Sequence, residues 1–491
     1  MCISMASMTT TALPTRRETT ATVSDAHDWS SRTWLLLVVL CGALFLDGLD
    51  ISMVGVALPS IGSELAMSPS ALQWIVSGYV LGYGGLLLLG GRAADLLGRR
   101  QVFLTAVAVF GIASVVSATL SSPEAIIALR FVKGVAAAFT VPAGLSIITT
   151  TFAEGPARNK ALSIYTVVGA SGFSLGLVFG GILTEIGWRA TFLLPGPVSL
   201  LLVLVGAKVI PTAARTLRSI AEFDLVGALT STASLLTLVV AVVEAPDHGW
   251  TSGLVLGLFA VSLALAAVFV AVELRHPAPL VRLGILRSWH LVHANAAGAI
   301  MAGGYFSFQF LVTLYLQDSL GWSPMAMALG FLPAGVLVIA SSTRMDRVLE
   351  RVSTQALIAI GLVSFLAAYA LFLRVDPGLG YTVLLLPTML LLGVGFATAF
   401  PSINAQATAG VADHEQGLAS GLVNTSVQLG GAVVLAVVSA ILASSAASEG
   451  PALTDQLIPG MLPGLRVIVA ITAVGVLASL ATLWVRRPSR V

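Results

Sequence analysis

Charge is scarce in this 491-residue chain. Asp, Glu, Lys and Arg make up 10% of it, where soluble globular proteins carry roughly 25%. That scarcity excludes an ordinary soluble fold, which needs far more polar surface to cover its cores. It also excludes a disordered chain and a nucleic-acid binder. Cysteine is nearly absent: Cys2 and Cys41 allow neither a disulfide scaffold nor a zinc site. A net charge of +2 points to no acidic partner. No P-loop, zinc-protease motif or nucleophile elbow occurs, so nothing suggests ATP, a metal, a cofactor or an enzyme.

What is abundant is apolar sequence, 57% of the chain, gathered into long runs. A membrane-spanning helix needs about 20 mostly apolar residues. Fourteen runs qualify, at approximately 34–58, 71–91, 101–120, 125–149, 161–184, 190–210, 222–244, 252–274, 290–316, 324–343, 355–374, 379–404, 419–443 and 463–485. They are too long for barrel strands and do not alternate apolar with polar. Lipid forces a spanning backbone to satisfy its own hydrogen bonds. The expected fold is therefore an all-α integral membrane protein with 14 transmembrane helices.

Basic residues set the expected orientation. With the N-terminus in the cytoplasm, 20 of the 25 Lys and Arg fall on that side. Arg189, Arg374 and Arg466 fall outside, and Arg130 and Lys133 lie within helix 4. This bias places both termini in the cytoplasm of a multi-pass cell-membrane protein. Residues 1–31 are polar and rich in Thr, Ser and Ala, and read as a disordered cytoplasmic tail. They lack the apolar core of a signal peptide. Met1, Met5 and Met8 leave the start open.

A faint repeat relates Gly91-Arg92-Ala93-Ala94-Asp95-Leu96-Leu97-Gly98-Arg99-Arg100 to Ser342-Thr343-Arg344-Met345-Asp346-Arg347-Val348-Leu349-Glu350-Arg351. Asp95 aligns with Asp346 and Arg100 with Arg351, eight helices apart. Two six-helix halves, 32–212 and 289–487, with an inserted helix pair in 213–288, account for that offset. Duplicated halves are common in transporters.

Several motifs follow one another in a specific order. Helix 1 reads Leu49-Asp50-Ile51-Ser52-Met53-Val54-Gly55-Val56-Ala57-Leu58-Pro59. Helix 2 has Gln73-Trp74 and Tyr79, then the Gly91–Arg100 motif. Arg130 and Gly134 follow in helix 4, and Gly172, Gly176, Gly180 and Gly181 in helix 5. Then come Trp188-Arg189, Tyr315-Leu316-Gln317 with Gly321, and Gly417-Leu418-Ala419-Ser420-Gly421. From helix 1 to helix 13 the chain resembles a major facilitator superfamily transporter of the fourteen-helix drug:proton antiporter family.

The resemblance implies efflux of small amphipathic compounds, drugs or antibiotics, by alternating access. The proton gradient would drive it, with no cofactor, and the lipid-embedded chain is expected to work as a monomer. There are departures: Gly55 replaces the usual Asn, Ser52 a Thr, Leu96 a basic residue and Lys133 a Gln. Leu177 stands where the antiporter motif carries Pro. Proton-coupled uptake, or transport of one metabolite, on the same fold therefore stays open.

The candidate site residues come from charges placed where charge is costly. A central charge costs roughly 2.5–3.5 kcal/mol on the insertion scale. Asp47 and Asp50 lie one turn apart in helix 1, as do Arg130 and Lys133 in helix 4. One reading is a proton and substrate site in a central cavity, with Asp50 exchanging a proton and Arg130 tuning it. The others are a static pair that orients two helices, or a gate if Asp50 lies near the outer end. Asp47 either neutralises Lys133, attracts a cationic substrate, or merely faces water.

Gly91, Asp95, Gly98, Arg99 and Arg100 form an expected tight cytoplasmic turn. There Asp95 would accept N–H bonds at a helix N-terminus and lock the halves together. The alternative is that the two arginines only anchor orientation. The helix-5 glycines form a smooth packing face. Gln309, Thr313 and Gln317 in helix 9, and Ser420, Asn424 and Gln428 in helix 13, form polar stripes at four-residue spacing. They would either line the cavity or join helices. His290 and His293 are expected at the membrane interface.

Overall fold

The computed structural model describes residues 29–485, apart from 154, 213–223, 278, 377, 379, 412–415 and 450–456. The tail expected at 1–31 thus lies outside the described residues up to 28. The described chain is helical, without strands, and holds fourteen long helices. In order they are α1 Ser31–Leu65, α2 Pro69–Leu97, α3 Arg99–Thr119, α4 Pro123–Thr151 and α5 Pro156–Ile186. Next come α6 Arg189–Val209, broken at Leu194, α7 Leu225–His248 and α8 Gly253–Glu273. Then α9 spans Trp289–Leu314 and continues into a π turn, Tyr315–Ser319. The last five are α10 Pro324–Arg351, α11 Thr354–Phe372, α12 Leu385–Thr408, α13 Gln416–Glu449 and α14 Met461–Val485. Thirteen are long and apolar enough to cross a membrane, while α2 carries a shorter apolar run, Ala71–Leu87.

The helix starts follow from local chemistry. Ser68, Ser122 and Ser323 each precede a Pro that opens α2, α4 or α10, and each side chain accepts a backbone N–H three residues on. The serine satisfies a donor the helix leaves free, and proline fits the first turn, where its missing N–H costs nothing. Ser30, Asp224, Ser252, Ser288 and Ser353 cap α1, α7, α8, α9 and α11 in the same way.

The packing pattern repeats with an offset of eight helices. In the first six, α1 packs on α5, α2 on α4, and α3 on α6. In the last six, α9 packs on α13, α10 on α12, and α11 on α14. The two groups meet along two seams, α2 against α13 and α5 against α10, which exchange under the same offset. The α7–α8 hairpin leans by α7 on α2 and α13. Most of α8 is exposed, as a lipid-facing helix requires. Without a hydrophobic force between helices in lipid, close packing carries association. The α2–α4 contact shows this: a Cβ at Gly134 would meet the Tyr79 carbonyl at 2.0 Å.

Candidate functional site

Four charges meet among α1, α2 and α4. Arg130 Nη1 and Lys133 Nζ each contact one oxygen of Asp50. Arg130 Nε donates to the Ile75 carbonyl at 2.9 Å, and its guanidinium lies 4.5 Å from the Tyr79 ring centre. The Tyr79 hydroxyl donates to Asp47. Lys133 Nζ also faces the rings of Phe110 on α3, at 4.7 Å, and Phe192 on α6, at 5.5 Å. Asp50 and Lys133 are 0% exposed, Arg130 1% and Asp47 6%.

Two acids and two bases cancel formally, which makes so much buried charge tolerable. The two acids differ in their partners. Asp50 holds a cation on each oxygen, whereas Asp47 receives a neutral hydroxyl. Asp47 also lines a small cleft of about 10 Å³ with Ala43, Leu46, Val107, Phe110, Ala137, Thr140 and Ser199.

This placement corrects the expectation of a site in a central cavity. The cluster lies inside the first six helices, because the α4 cations reach the α1 face that bears Asp47 and Asp50. A different stretch of α1 meets the second half. A Cβ at Gly55 would lie 3.4 Å from Gln309 Nε2, and Gln317 Nε2 donates to the Val56 carbonyl at 3.0 Å. Pro59 lies inside α1. It has no N–H for the Gly55 carbonyl, so the helix is loosened where α9 approaches. Gln317 itself sits in the π turn of α9, a helix irregularity frequent at functional sites.

The seam between the halves is tight at the end of the bundle that carries the α1–α2 turn. Every residue of α9 from Ser307 to Leu316 is buried, and α13 is mostly buried from 431 to 442. On α10, burial clusters between Met327 and Gly335. A Cβ at Gly181 would meet Met325, Ala328 and Pro324 of α10 at about 3 Å, and one at Gly335 would meet Ser174 of α5 at 2.9 Å. Toward the other end, described residues 336–344 of α10 are half-buried or exposed. Asn404, Ser420 and Asn424 are likewise half-buried. The bundle is closed at one end and looser at the other.

The motif Gly91–Arg100 is not a tight turn. Helix α2 continues to Leu97, and Gly98, at φ 98°, alone separates it from α3. Ala93, Ala94 and Leu97 are good helix formers, and the positive φ falls on the residue that adopts it without strain. Close approach belongs to Gly90, where a Cβ would meet the Ala138 carbonyl at 2.1 Å. At Gly91 it would only touch Pro142 at 3.6 Å. Arg100 donates to Thr212, so it ties α3 to the segment after α6. The side chains of Asp95 and Asp346, and Gly417, lie outside the described residues.

The helix-5 glycines divide between two partners. Gly172, Gly176 and Gly180 press on α1 at Phe45, Leu49, Ser52 and Met53, while Gly181 presses on α10. Leu177 is buried in an unbroken α5. The polar stripes divide as well. Gln317 and Gln428 bridge the halves, the latter against Gly84 of α2. Asn424 donates to the Ser420 carbonyl in its own helix. Thr313 is buried with its hydroxyl unpartnered.

The sequence model of the Major Facilitator Superfamily matches residues 40–435. The chain belongs to that superfamily. It is 36% identical over 473 residues to the puromycin resistance protein pur8 of Streptomyces alboniger, covering 94% of this chain and 92% of that one. It is 34% identical over 411 residues to the cephamycin export protein CmcT of Amycolatopsis lactamdurans, covering 83% and 85%. The solved structure of the POT family transporter PepTSo shares the fold, with a TM-score of 0.65 at 14% identity over 92% of this chain and 99% of that one.

On this major facilitator frame, some side chains lie outside the sequence reading. Phe173 of α5 meets Tyr305 of α9 at 5.8 Å between ring centres, and Tyr305 meets Phe396 of α12 at 5.4 Å. These half-buried rings form an aromatic bridge between the halves. The four-residue spacing of Phe396 and Phe400 was its only signal. His293 is buried against its neighbours. Gln406 Nε2 donates to the His290 carbonyl at 3.1 Å and to His293 Nδ1 at 2.8 Å. The carbonyl can only accept, which fixes the amide orientation. His293 Nδ1 therefore accepts, and Nε2–H donates to Ser479 at 3.0 Å. The Trp188-Arg189 pair is explained by Glu64, which accepts from Trp188 Nε1 at 2.7 Å and pairs with Arg189.

Proposed function

We propose that this protein is a transporter rather than an enzyme, and that it exports small amphipathic compounds from the cell in exchange for protons by alternating access. It would sit in the cell membrane as a monomer of fourteen spans with both termini cytoplasmic, needing no cofactor beyond the proton gradient. The relatives named for puromycin resistance and cephamycin export support drug or antibiotic efflux. The repeated packing pattern supports two moving halves, 32–212 and 289–487, with the pair in 213–288 outside the pathway. With that orientation the closed end faces outward, and the looser end opens to the cytoplasm.

The charge cluster carries the reading. Intramembrane ionisable residues usually serve transport, and the two acids divide the work. Asp50 is bound by two cations and acts as the electrostatic lock between α1 and α4. Asp47 has a neutral donor and lines a cleft, so we assign it the exchanged proton.

Transport in inside-out vesicles with an acidic lumen tests both parts. Wild type should accumulate a drug such as puromycin, and Asp47→Asn should lose the pH-driven accumulation while still binding it. Accumulation instead in right-side-out vesicles under an inward proton gradient would establish uptake. Unchanged pH dependence in Asp47→Asn would move the proton elsewhere.

A further inference from the structure

The inserted hairpin holds two buried acids that the transport reading leaves unused. Ser234 on α7 and Ser262 on α8 bond reciprocally: each hydroxyl donates to the other's carbonyl at 2.9 Å. In an antiparallel pair, ten residues back along α7 and ten forward along α8 bring Asp224 opposite residues 272–273. Asp224 is 3% exposed and Glu273 5%. One oxygen of each acid is satisfied. Asp224 Oδ1 accepts from Gly227 N at 2.6 Å, capping α7. Glu273 Oε2 accepts from Val281 N at 3.1 Å, on the segment that leads into α9.

The other two oxygens, Asp224 Oδ2 and Glu273 Oε1, are buried with no partner. The Ser234–Ser262 register sets the two side chains against one another, and Asp224 acts on Glu273 as a neighbouring carboxyl. Ionised carboxylates only accept, so two of them cannot satisfy one another, and their like charges repel. A single proton placed between them removes both problems, because one acid then donates to the other. Two orphaned acceptors become one charge-assisted hydrogen bond.

We propose that a proton bound between Asp224 and Glu273 clasps the start of α7 to the end of α8, while Glu273 Oε2 holds the segment entering the second half. Of the titratable groups around Glu273, Asp224 and His276 act on it electrostatically. The clasp sits where the connections from both six-helix halves reach the hairpin. Its opening would free the start of α7 from the end of α8 as pH rises.

The sign follows from proton linkage. The folded state holds a proton that the unfolded chain releases, so stability falls as pH rises. Glutamine at 273 supplies the donor permanently: its amide N–H₂ faces Asp224 and its carbonyl still accepts from Val281.

The test is thermal unfolding of the full chain in detergent from mildly acidic to alkaline pH, which spans the titration of the carboxyl in the unfolded and the folded chain. Wild type should lose about 4 °C or more in Tm relative to Glu273→Gln, which should resist that loss. Asp224→Asn, which offers the donor from the other side, should behave like Glu273→Gln and stands in if that variant fails to fold. The infrared band of protonated carboxyls should be weaker by one group in both variants than in wild type. Identical pH slopes for wild type and amide variants, or no difference in that band, overturns the proposal. So does a wild-type Tm at alkaline pH restored by adding sodium or calcium ions, since the pair would then hold a metal cation.

Discussion

Asp50→Asn should strongly destabilise the first half unless a second charge is removed with it. In the wild type the four buried groups balance: Asp47 and Asp50 against Arg130 and Lys133. Asparagine keeps the shape but leaves two cations facing one acid. Breaking a buried pair by removing one partner costs about 3–5 kcal/mol, because the remaining charge is buried and uncompensated. That is roughly two to three and a half decades in the folded-to-unfolded ratio. Lys133→Gln in the same chain removes the excess cation, and a neutral amide pair replaces the Asp50–Lys133 contact. A pair in one network couples by up to about 3 kcal/mol. The double variant should therefore recover about 2–3 kcal/mol of what the single variants lose together. Unfolding in a titrated denaturing detergent, followed by tryptophan fluorescence for wild type, both singles and the double, measures this coupling. Losses that simply add would refute the electrostatic lock and leave Asp50 a packing residue.

Three further substitutions test individual helix contacts. Gln317→Leu removes the hydrogen bond from the π turn to α1, worth about 0.5–1.5 kcal/mol net. A cysteine introduced at Ser60, with Cys2 and Cys41 replaced, should then react with an impermeant maleimide from the outer side roughly 2- to 10-fold more. Unchanged labelling would show that the contact does not hold that end shut. Gly176→Ala places a Cβ 2.1 Å from Ser52 Oγ and 2.6 Å from the Leu49 carbonyl, and should destabilise by about 1–3 kcal/mol. Gly91→Ala, with nothing nearer than 3.6 Å, should fold as well as wild type, as thermal melts of the two variants side by side would reveal.

Hydropathy made the helices legible because lipid leaves a spanning backbone few options. The charges in helices 1 and 4 were legible for a related reason: their cost in lipid makes them conspicuous. Sequence spacing gave the turn they occupy but not the neighbour they face. Asp50 and Gly55 sit on one helix, yet the first meets α4 and the second α9, a choice made by tertiary packing. The Gly91–Arg100 motif misled because two glycines suggested a turn, while the intervening Ala and Leu residues extend the helix and only Gly98 breaks it. Gly181 looked like one more member of the helix-5 glycine face. Its partner is α10, since a step of one residue turns a helix by about 100°. Asp224 and Glu273 gave no signal, lying 49 residues apart at the ends of two apolar helices. Only the register of the Ser234–Ser262 bonds brings them together.

Helix α1 connects these observations mechanically. Asp50 lies six residues before Val56, about 9 Å along the axis at 1.5 Å per residue. One stretch of α1 is held to α4 by Arg130 and Lys133, and the next is held to α9 by Gln317. The α5 glycines press along both stretches, from Phe45 to Val56. A change of charge at Asp47 or Asp50 alters the pull of α4 on the first stretch. Pro59 loosens the second, where a lost N–H makes bending least costly. A tilt of α1 at the charge cluster is therefore transmitted to the Val56–Gln317 contact over less than two helical turns, without passing through a mobile loop. That short rigid path is how a proton bound inside one half can bias whether the two halves meet at the closed end.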